Sequence, residues 1–360
     1  MNPNDSSTGS PALTKPTRGA GFNPSNRFEQ IHLEPNLDFD PSEEKALPTI
    51  FLRDHSTSII TYNDSPDVPF SASLNPYRGC EHGCIYCYAR PTHEFLGFSA
   101  GLDFESRIMV KEDAPNLLRK ELSARKWKPQ VLAMSGVTDP YQPVERKLEL
   151  TRRCLAVLAE CRNPVGIVTK NLLVTRDLDY LTELSRHNCA RVFISLTTLD
   201  TELRHVLEPR TSPPAARLET IRKLSAAGIP TGVLIAPVIP AMNDHEIPAL
   251  LKADAAAGAQ TASYVILRLP LAVAPLFQEW LKRHFPDRQE KVLNQIRSLR
   301  EGELNDPNFG SRMHGLGAFA ERIKQLFEVS ARRAGLDKPW PEMSVAGFRR
   351  PAENQLALDL

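Results

Sequence analysis

The sequence predicts an α/β chain whose six parallel strands curl into an open, partial (β/α)6 barrel. Three observations carry that expectation. Apolar, β-prone runs recur along the chain, at 71–75 (SASLN), 130–136 (QVLAMSG), 165–170 (VGIVTK), 191–197 (RVFISLT), 231–238 (TGVLIAPV) and 263–269 (SYVILRL). Segments with helical spacing of apolar residues separate them, and most of the runs are nearly continuous in apolar character, as in a parallel sheet covered on its outer face. Right-handed crossovers between six such units close them into a TIM-like partial barrel, with a flat doubly wound sheet as the competing architecture.

Before the first strand, residues 1–48 are rich in Pro, Ser, Asn and charge without a sustained period, the composition of a disordered arm. The barrel core is expected over 49–285. Within it, Ser212 and Pro213 open a helix carrying Leu218, Ile221 and Leu224 on one face, and Gly228 closes it. Similar signals set helices near 113–126, 144–161, 176–187, 244–257 and 273–284. Beyond Pro286, EKVLNQIRSLREG and GAFAERIKQLFEVSARRAGL form a helical cap over 286–340, and 341–360 read as a flexible tail.

With 41% hydrophobic and 24% charged residues, the 360-residue chain has globular composition. Lys and Arg number 44 against 43 Asp and Glu, so no global field advertises a polyanionic partner. The first residues contain no apolar leader core, and no run approaches the ~18 apolar residues that span a bilayer. A cytoplasmic, membrane-free protein is expected. Three of the six cysteines fall within eight positions, which points to a reducing compartment and a metal site.

Those three, Cys80, Cys84 and Cys87, lie in NPYRGCEHGCIYCYARPTHEF, directly after the first strand and so at the C-terminal end of the barrel, where such folds keep their chemistry. Thiolates spaced CxxxCxxC can hold three irons of a [4Fe-4S] cubane and leave the fourth open, whereas a four-cysteine motif is closed. Gly79 and Gly83 let the loop wrap closely. A Cys3His zinc site completed by His82 or His93 is the alternative. Cys154 and Cys161 fall on one apolar helix stripe with Val157 and Leu158, and Cys189 precedes a buried strand, so these read as core.

The CxxxCxxC loop, with Tyr86 before its last cysteine and six βα units around it, resembles the radical S-adenosylmethionine (radical SAM) superfamily. NPYRGCEHGCIYCYARPTHE, TDPYQPVE, the TKN after the third strand, EPRTSPPAARLETI and APVIPAMND resemble the branch related to spore photoproduct lyase, most closely its uncharacterised bacterial members, from about residue 60 to about 330. The resemblance implies a [4Fe-4S] cluster on the three cysteines, S-adenosylmethionine chelated to the open iron, and reductive cleavage to a 5'-deoxyadenosyl radical that abstracts a substrate hydrogen. It also implies a flavodoxin or ferredoxin-type reductant, and Tyr86 presenting its backbone to the adenine.

Strand ends facing the loop supply further contacts, because the cofactor's ammonium needs acceptors and its carboxylate needs cations. Ser135, Thr138 and Asp139 are acceptors for the ammonium, or Asp139 starts a turn with Pro140. Lys170 and Arg210 are cations for the carboxylate, with a solvated lysine as the alternative for Lys170 and a surface ion pair to Glu208 or Glu219 as that for Arg210. Ser195 matches the family's polar residue on the ribose or is an inward serine bonded to backbone, and Pro237 with Val238 would pack on the adenine or end the strand. Tyr141, Gln142, Glu145 and Arg268 line the substrate side, Tyr141 being a hydrogen-atom donor or a packed turn residue. Arg78, Arg90 and His93 border the cluster, and a nucleic-acid or nucleotide substrate would account for the arginines. Spore photoproduct lyases carry a cysteine near the end of the second strand, where this chain reads Ser135-Gly136-Val137-Thr138-Asp139. Three functions are therefore open: a radical enzyme of unknown substrate, a DNA photoproduct lyase-like repair enzyme, and a non-enzymatic zinc module.

Overall fold

The structure, a computed structural model, describes residues 18–28, 48–340 and 342–351. Six strands form one parallel sheet: β1 (Ala72–Leu74), β2 (Leu132–Met134), β3 (Val165–Thr169), β4 (Ala190–Ser195), β5 (Thr231–Val238) and β6 (Thr261–Ile266). They pair in sequence order, each parallel to the next. A doubly wound sheet would reverse direction at a switch point, and this one never does, so the barrel reading stands. One strand more, Ile60–Tyr62, pairs antiparallel with β1 and forms the sheet edge opposite β6.

The crossovers are α1 (Ala114–Ser123), α2 (Leu150–Cys161), α3 (Leu178–Arg186), α4 (Pro214–Ala226) and α5 (Ile247–Ala256), with α6 (Val273–His284) after β6. Leu118, Leu155, Leu158, Leu181, Leu184 and Leu224 reach down from the first four onto Leu132, Val165, Ile167, Val192 and Val233 in a continuous core. The expected helix over 144–161 is broken at Glu149, whose φ of 51° separates a turn at Glu145–Leu148 from α2. The cap helices are α7 (Gln289–Ser298) and α8 (Gly317–Ala334). Phe327 and Ile323 of α8 pack with Leu250 and Leu251 of α5, while Val292 and Ile296 of α7 join Trp280 of α6.

Two features lay outside the sequence reading. A small sheet of Ile50–Arg53, Arg107–Val110 and Tyr77–Arg78 frames the cysteine loop, and its strands, two to four residues long, are too short to declare a period. Within the expected tail, residues 342–351 are hydrogen-bonded to the barrel. Ser344 N–H donates to the Asn188 carbonyl at 2.9 Å, Arg349 N–H to the Cys161 carbonyl at 2.9 Å, and the Arg350 guanidinium to the Ala124 carbonyl at 2.5 Å. These bonds tie the segment across the N-terminal ends of β3 and β4. Residue 341 and residues 352–360 lie outside the described residues, as do 1–17 and 29–47 of the N-terminal arm.

Candidate cofactor site

The cysteine loop is held from both sides by buried polar side chains. Gly79 and Gly83 adopt left-handed φ values of 79° and 66°, and a Cβ at Gly83 would stand 2.7 Å from the Glu105 carboxylate. Arg90 is fully buried: its Nε and Nη2 donate to the Cys84 carbonyl at 3.1 and 2.9 Å, its Nη1 to the carbonyls of Ala100 and Gly101, and its Nη2 to Glu105 at 2.5 Å. Glu105 also accepts the N–H groups of Gly19 and Ala20 at 2.9 and 2.8 Å, so residues 18–28 are strapped over the loop.

On the opposite side, Thr138 Oγ1 donates to the Gly79 carbonyl at 2.6 Å, and Gln142 bonds both that carbonyl and the Glu81 N–H. Glu81 accepts the Val144 N–H at 2.7 Å and the Arg210 guanidinium at 3.1 Å. Arg210 therefore pairs with Glu81, and not with Glu208 or Glu219. Thr138, Gln142 and Arg210 are spent on shaping the loop.

Cys80 and Cys84 are buried, Cys87 is half-buried, and none forms a disulfide. Burial pushes all three thiols up, Cys80 further through the Asp139 charge and Cys84 further through Glu208, so their thiolate forms need a cationic partner. Among the described residues no three His, Cys, Asp or Glu side chains converge on a point where one metal ion could sit. Of the histidines beside the loop, His82 is engaged at both ring nitrogens, and His93 at Nε2 while its Nδ1 is buried without a hydrogen-bond partner. His82 Nδ1 faces Asp139 at 3.3 Å and its Nε2 faces Asn171 at 3.2 Å. His93 bonds the Arg107 carbonyl at 2.9 Å between the rings of Phe98 and Phe104, and burial pushes its pKa down to about 4. Three thiols in one loop match the three protein ligands of an open cubane, whereas a tetrahedral zinc ion takes four donors.

Beside the loop lies a buried charge network from β3, β4 and the segment that follows them. Lys170 Nζ donates to Ser195 Oγ and to the Ala236 carbonyl at 3.3 Å, stands 3.8 Å from Glu208, and lies 5.8 Å from the centre of the Tyr86 ring. Glu208 accepts from the Tyr86 hydroxyl, from Thr197 Oγ1 at 2.6 Å and from Arg217. Burial alone would raise its pKa, but the Arg217 and Lys170 charges together with these hydrogen bonds hold it at about 2. Sequence reasoning missed Arg217, Thr197 and this role of Glu208. A legible signal existed for Arg217, a charged residue on the buried stripe of α4 with Ile221 and Leu224.

The family model of the Radical SAM superfamily matches residues 74–253, half of the chain. An uncharacterized protein of Mycobacterium tuberculosis is 35% identical over 284 residues, covering 78% of this chain and 80% of the relative. The chain belongs to the radical SAM superfamily. A radical SAM Nalpha-GlyT isomerase of Pseudomonas phage M6 is 23% identical, covering 61% of this chain and 44% of its own. Among solved structures, spore photoproduct lyase complexed with dinucleoside spore photoproduct shares the fold, with a TM-score of 0.57 at 16% identity and 79% of each chain covered. No helix among the described residues of this radical SAM protein is long and apolar enough to cross a membrane.

The remaining expected residues of the radical SAM chain fall at varied depths. Asp139 accepts the Tyr141 N–H at 2.8 Å, Thr169 Oγ1 at 2.7 Å and the Lys170 N–H at 2.9 Å. Against the upward push of burial, His82 and these donors hold its carboxyl below the usual range. Ser135 is half-buried after β2, and Pro237 is buried in β5. Tyr141 is fully buried in the helix-covered core, its hydroxyl held protonated by burial and by Asp177 and Glu145. Glu145 in turn accepts the Tyr77 hydroxyl at 2.5 Å and Arg176 at 2.7 Å. Arg78 pairs with Asp54 at 2.6 Å, and Arg268 lies over the Tyr88 ring at 5.4 Å.

Proposed function

We propose that this radical SAM enzyme holds a [4Fe-4S] cluster on Cys80, Cys84 and Cys87 and cleaves S-adenosylmethionine reductively. The observation that carries the reading is the loop itself, which sets three thiols, none in a disulfide, after β1 and is held by the buried Arg90–Glu105 pair. Held on these three cysteines, a reduced cluster would supply the one electron that breaks the sulfonium C5'–S bond, with methionine as the leaving group and a 5'-deoxyadenosyl radical as the hydrogen-abstracting species.

The chain's residues then have distinct tasks. Lys170 offers its ammonium to the cofactor carboxylate, and Glu208 and Ser195 fix where that ammonium points. The Tyr86 hydroxyl is pinned on Glu208, which orients its backbone toward the adenine, with Pro237 as an apolar wall. Asp139 and Ser135 lie at the strand end from which the cofactor's ammonium would be met, with Asp139 ionised for that purpose. Arg90, Glu105, Gln142 and Thr138 hold the loop and exclude water from it. Tyr141 is a core residue in this scheme, because its hydroxyl is buried among Asp177 and Glu145.

The substrate is a separate matter from the cofactor. Spore photoproduct lyase, similar in fold and complexed with dinucleoside spore photoproduct, motivates a nucleotide-bearing substrate, while Ser135-Gly136-Val137-Thr138-Asp139 supplies no cysteine for a photoproduct lyase. The enzyme would work in the cytoplasm, where a flavodoxin or ferredoxin supplies electrons and the six free cysteines stay reduced.

Anaerobic reconstitution, followed by chromatography for 5'-deoxyadenosine after adding dithionite and S-adenosylmethionine, tests the reading. Product from the wild type and none from Cys84→Ala is expected. Stoichiometric zinc without iron and sulfide would replace this proposal with the zinc module.

A further inference from the structure

The sheet is open between its two edges, and the segment between α7 and α8 reaches across the gap. Ile60–Tyr62 forms one edge and β6 the other. The short helix Ser311–His314 sits on β6 through the His314 and Tyr264 rings, 5.1 Å apart. From there Arg312 Nε donates to the Asp67 carboxylate, its Nη2 to Ser65 Oγ at 2.8 Å, and the Gly310 N–H to Asp67 at 2.6 Å. Asp67 and Ser65 belong to the loop between Ile60–Tyr62 and β1, so this clasp spans the opening.

Arg268, just beyond β6, stands beside the clasp. Arg312 has Asp67 as its counter-ion, while Arg300, whose Nε is likewise buried without a partner, spends its Nη groups on the carbonyls of Ser311 at 3.0 Å and Leu267 at 2.9 Å. Among the described residues no carboxylate lies within 4.0 Å of the Arg268 guanidinium. Its Nη1 meets the Met313 thioether at 3.8 Å, a weak acceptor, and its Nε is buried without a partner. Arg312 repels Arg268, and the carboxylates that attract it, Asp67 and Asp306, accept their hydrogen bonds from Arg312 and from the Asn308 N–H. A half-buried guanidinium with an idle Nε and repelling neighbours is incomplete without an anion.

We propose that Arg268 receives an oxyanion of the substrate, a phosphate or a carboxylate, at the mouth of the barrel. The Nη groups, of which Nη1 meets only the Met313 thioether, offer the charged donors that such groups accept. The guanidinium lies 5.4 Å from the ring centre of Tyr88, the residue after Cys87, so an anion held there tethers the substrate beside the cysteine loop. Its assignment to the substrate rests on the radical SAM reading of that loop, whereas anion binding itself does not.

The test is the thermal midpoint of the reconstituted protein titrated with sodium phosphate or sodium acetate, at ionic strength held constant with sodium chloride. Wild type, Arg268→Gln, Arg268→Lys and Arg186→Gln are compared, Arg186 being 70% exposed on α3. A rise of several degrees is expected for wild type and Arg186→Gln, a smaller one for Arg268→Lys and none for Arg268→Gln; the anion that acts identifies the group. Equal shifts in wild type and Arg268→Gln, or no shift of wild type with either anion, would overturn the site. Measuring 5'-deoxyadenosine on the same preparations separates the two readings, since an anion shift without cofactor cleavage by any preparation would sink the radical reading and leave the anion site.

Discussion

Arg90 and Glu105 face each other at 2.5 Å with neither side chain exposed to water. Their pair joins three stretches of chain, because Arg90 holds the Cys84 carbonyl and Glu105 holds the N–H groups of Gly19 and Ala20. Removing one partner strands the other charge in a dry interior, which costs about 3–5 kcal/mol. Arg90→Met is therefore expected to lower stability by that amount in urea unfolding and to reduce iron content after reconstitution. The double variant Arg90→Met/Glu105→Gln should recover part of the loss, and a double variant no better than Arg90→Met would show that the hydrogen bonds to the Cys84 carbonyl outweigh the charge pair.

The N-terminal strap depends on contact without a side chain. A Cβ built on Gly19 would stand 1.8 Å from the Gly83 carbonyl oxygen, so Gly19→Ala must push the strap off the loop. Faster proteolysis within residues 18–28 is expected, together with bleaching of the cluster absorbance in air at a rate several times that of wild type. Unchanged air sensitivity would mean that the strap does not shield the loop.

Lys170 is the cation assigned to the cofactor carboxylate. Replacing a charged hydrogen-bond partner costs about 1.5–3 kcal/mol, or roughly 10- to 100-fold in affinity. Lys170→Met should weaken S-adenosylmethionine binding by that factor in equilibrium dialysis while iron content stays constant. An unchanged Kd would assign the ammonium to Ser195 and the Ala236 carbonyl alone.

Asp254 offers a pH dependence remote from the cofactor site. It sits on the buried stripe of α5 with Ile247, Leu250 and Leu251, neither carboxyl oxygen has a hydrogen-bond partner, and burial pushes its pKa up to about 8. The unfolded chain ionises near pH 4, so the folded state loses stability as pH rises from there toward 8, at about 1.4 kcal/mol per unit. Asp254→Asn should flatten that slope and raise the urea midpoint at pH 8.5, with little effect at pH 5. Parallel slopes for the two proteins would show that Asp254 is not the group that titrates.

The barrel was legible because its information is local. Each β-prone run and each helix stripe declares itself within about ten residues, and right-handed crossovers leave few ways to join them. The short frame strands at Ile50–Arg53 and Tyr77–Arg78 carry no such period and emerge through pairing with Arg107–Val110. Residues 342–351 likewise show no pattern of their own, since hydrogen bonds to the backbone of Asn188 and Cys161 order them.

For the site, the CxxxCxxC spacing and the two glycines identified the loop, and strand-end logic singled out Lys170 and Ser195. What those residues touch was not readable. Glu208 looked like a surface partner for Arg210, yet it is the buried anion that binds Tyr86, Thr197 and Arg217, while Arg210 turns to Glu81.

The sequence by itself determined the βα alternation, the three-cysteine loop and its place after the first strand, because spacing along the chain encodes them. Tertiary structure alone decided which carboxylates are buried and which cations they meet. Arg90 with Glu105 is separated by 15 residues and Tyr86 with Glu208 by 122, and a charge pairs with whatever the fold brings within a few ångströms, whatever its distance along the chain.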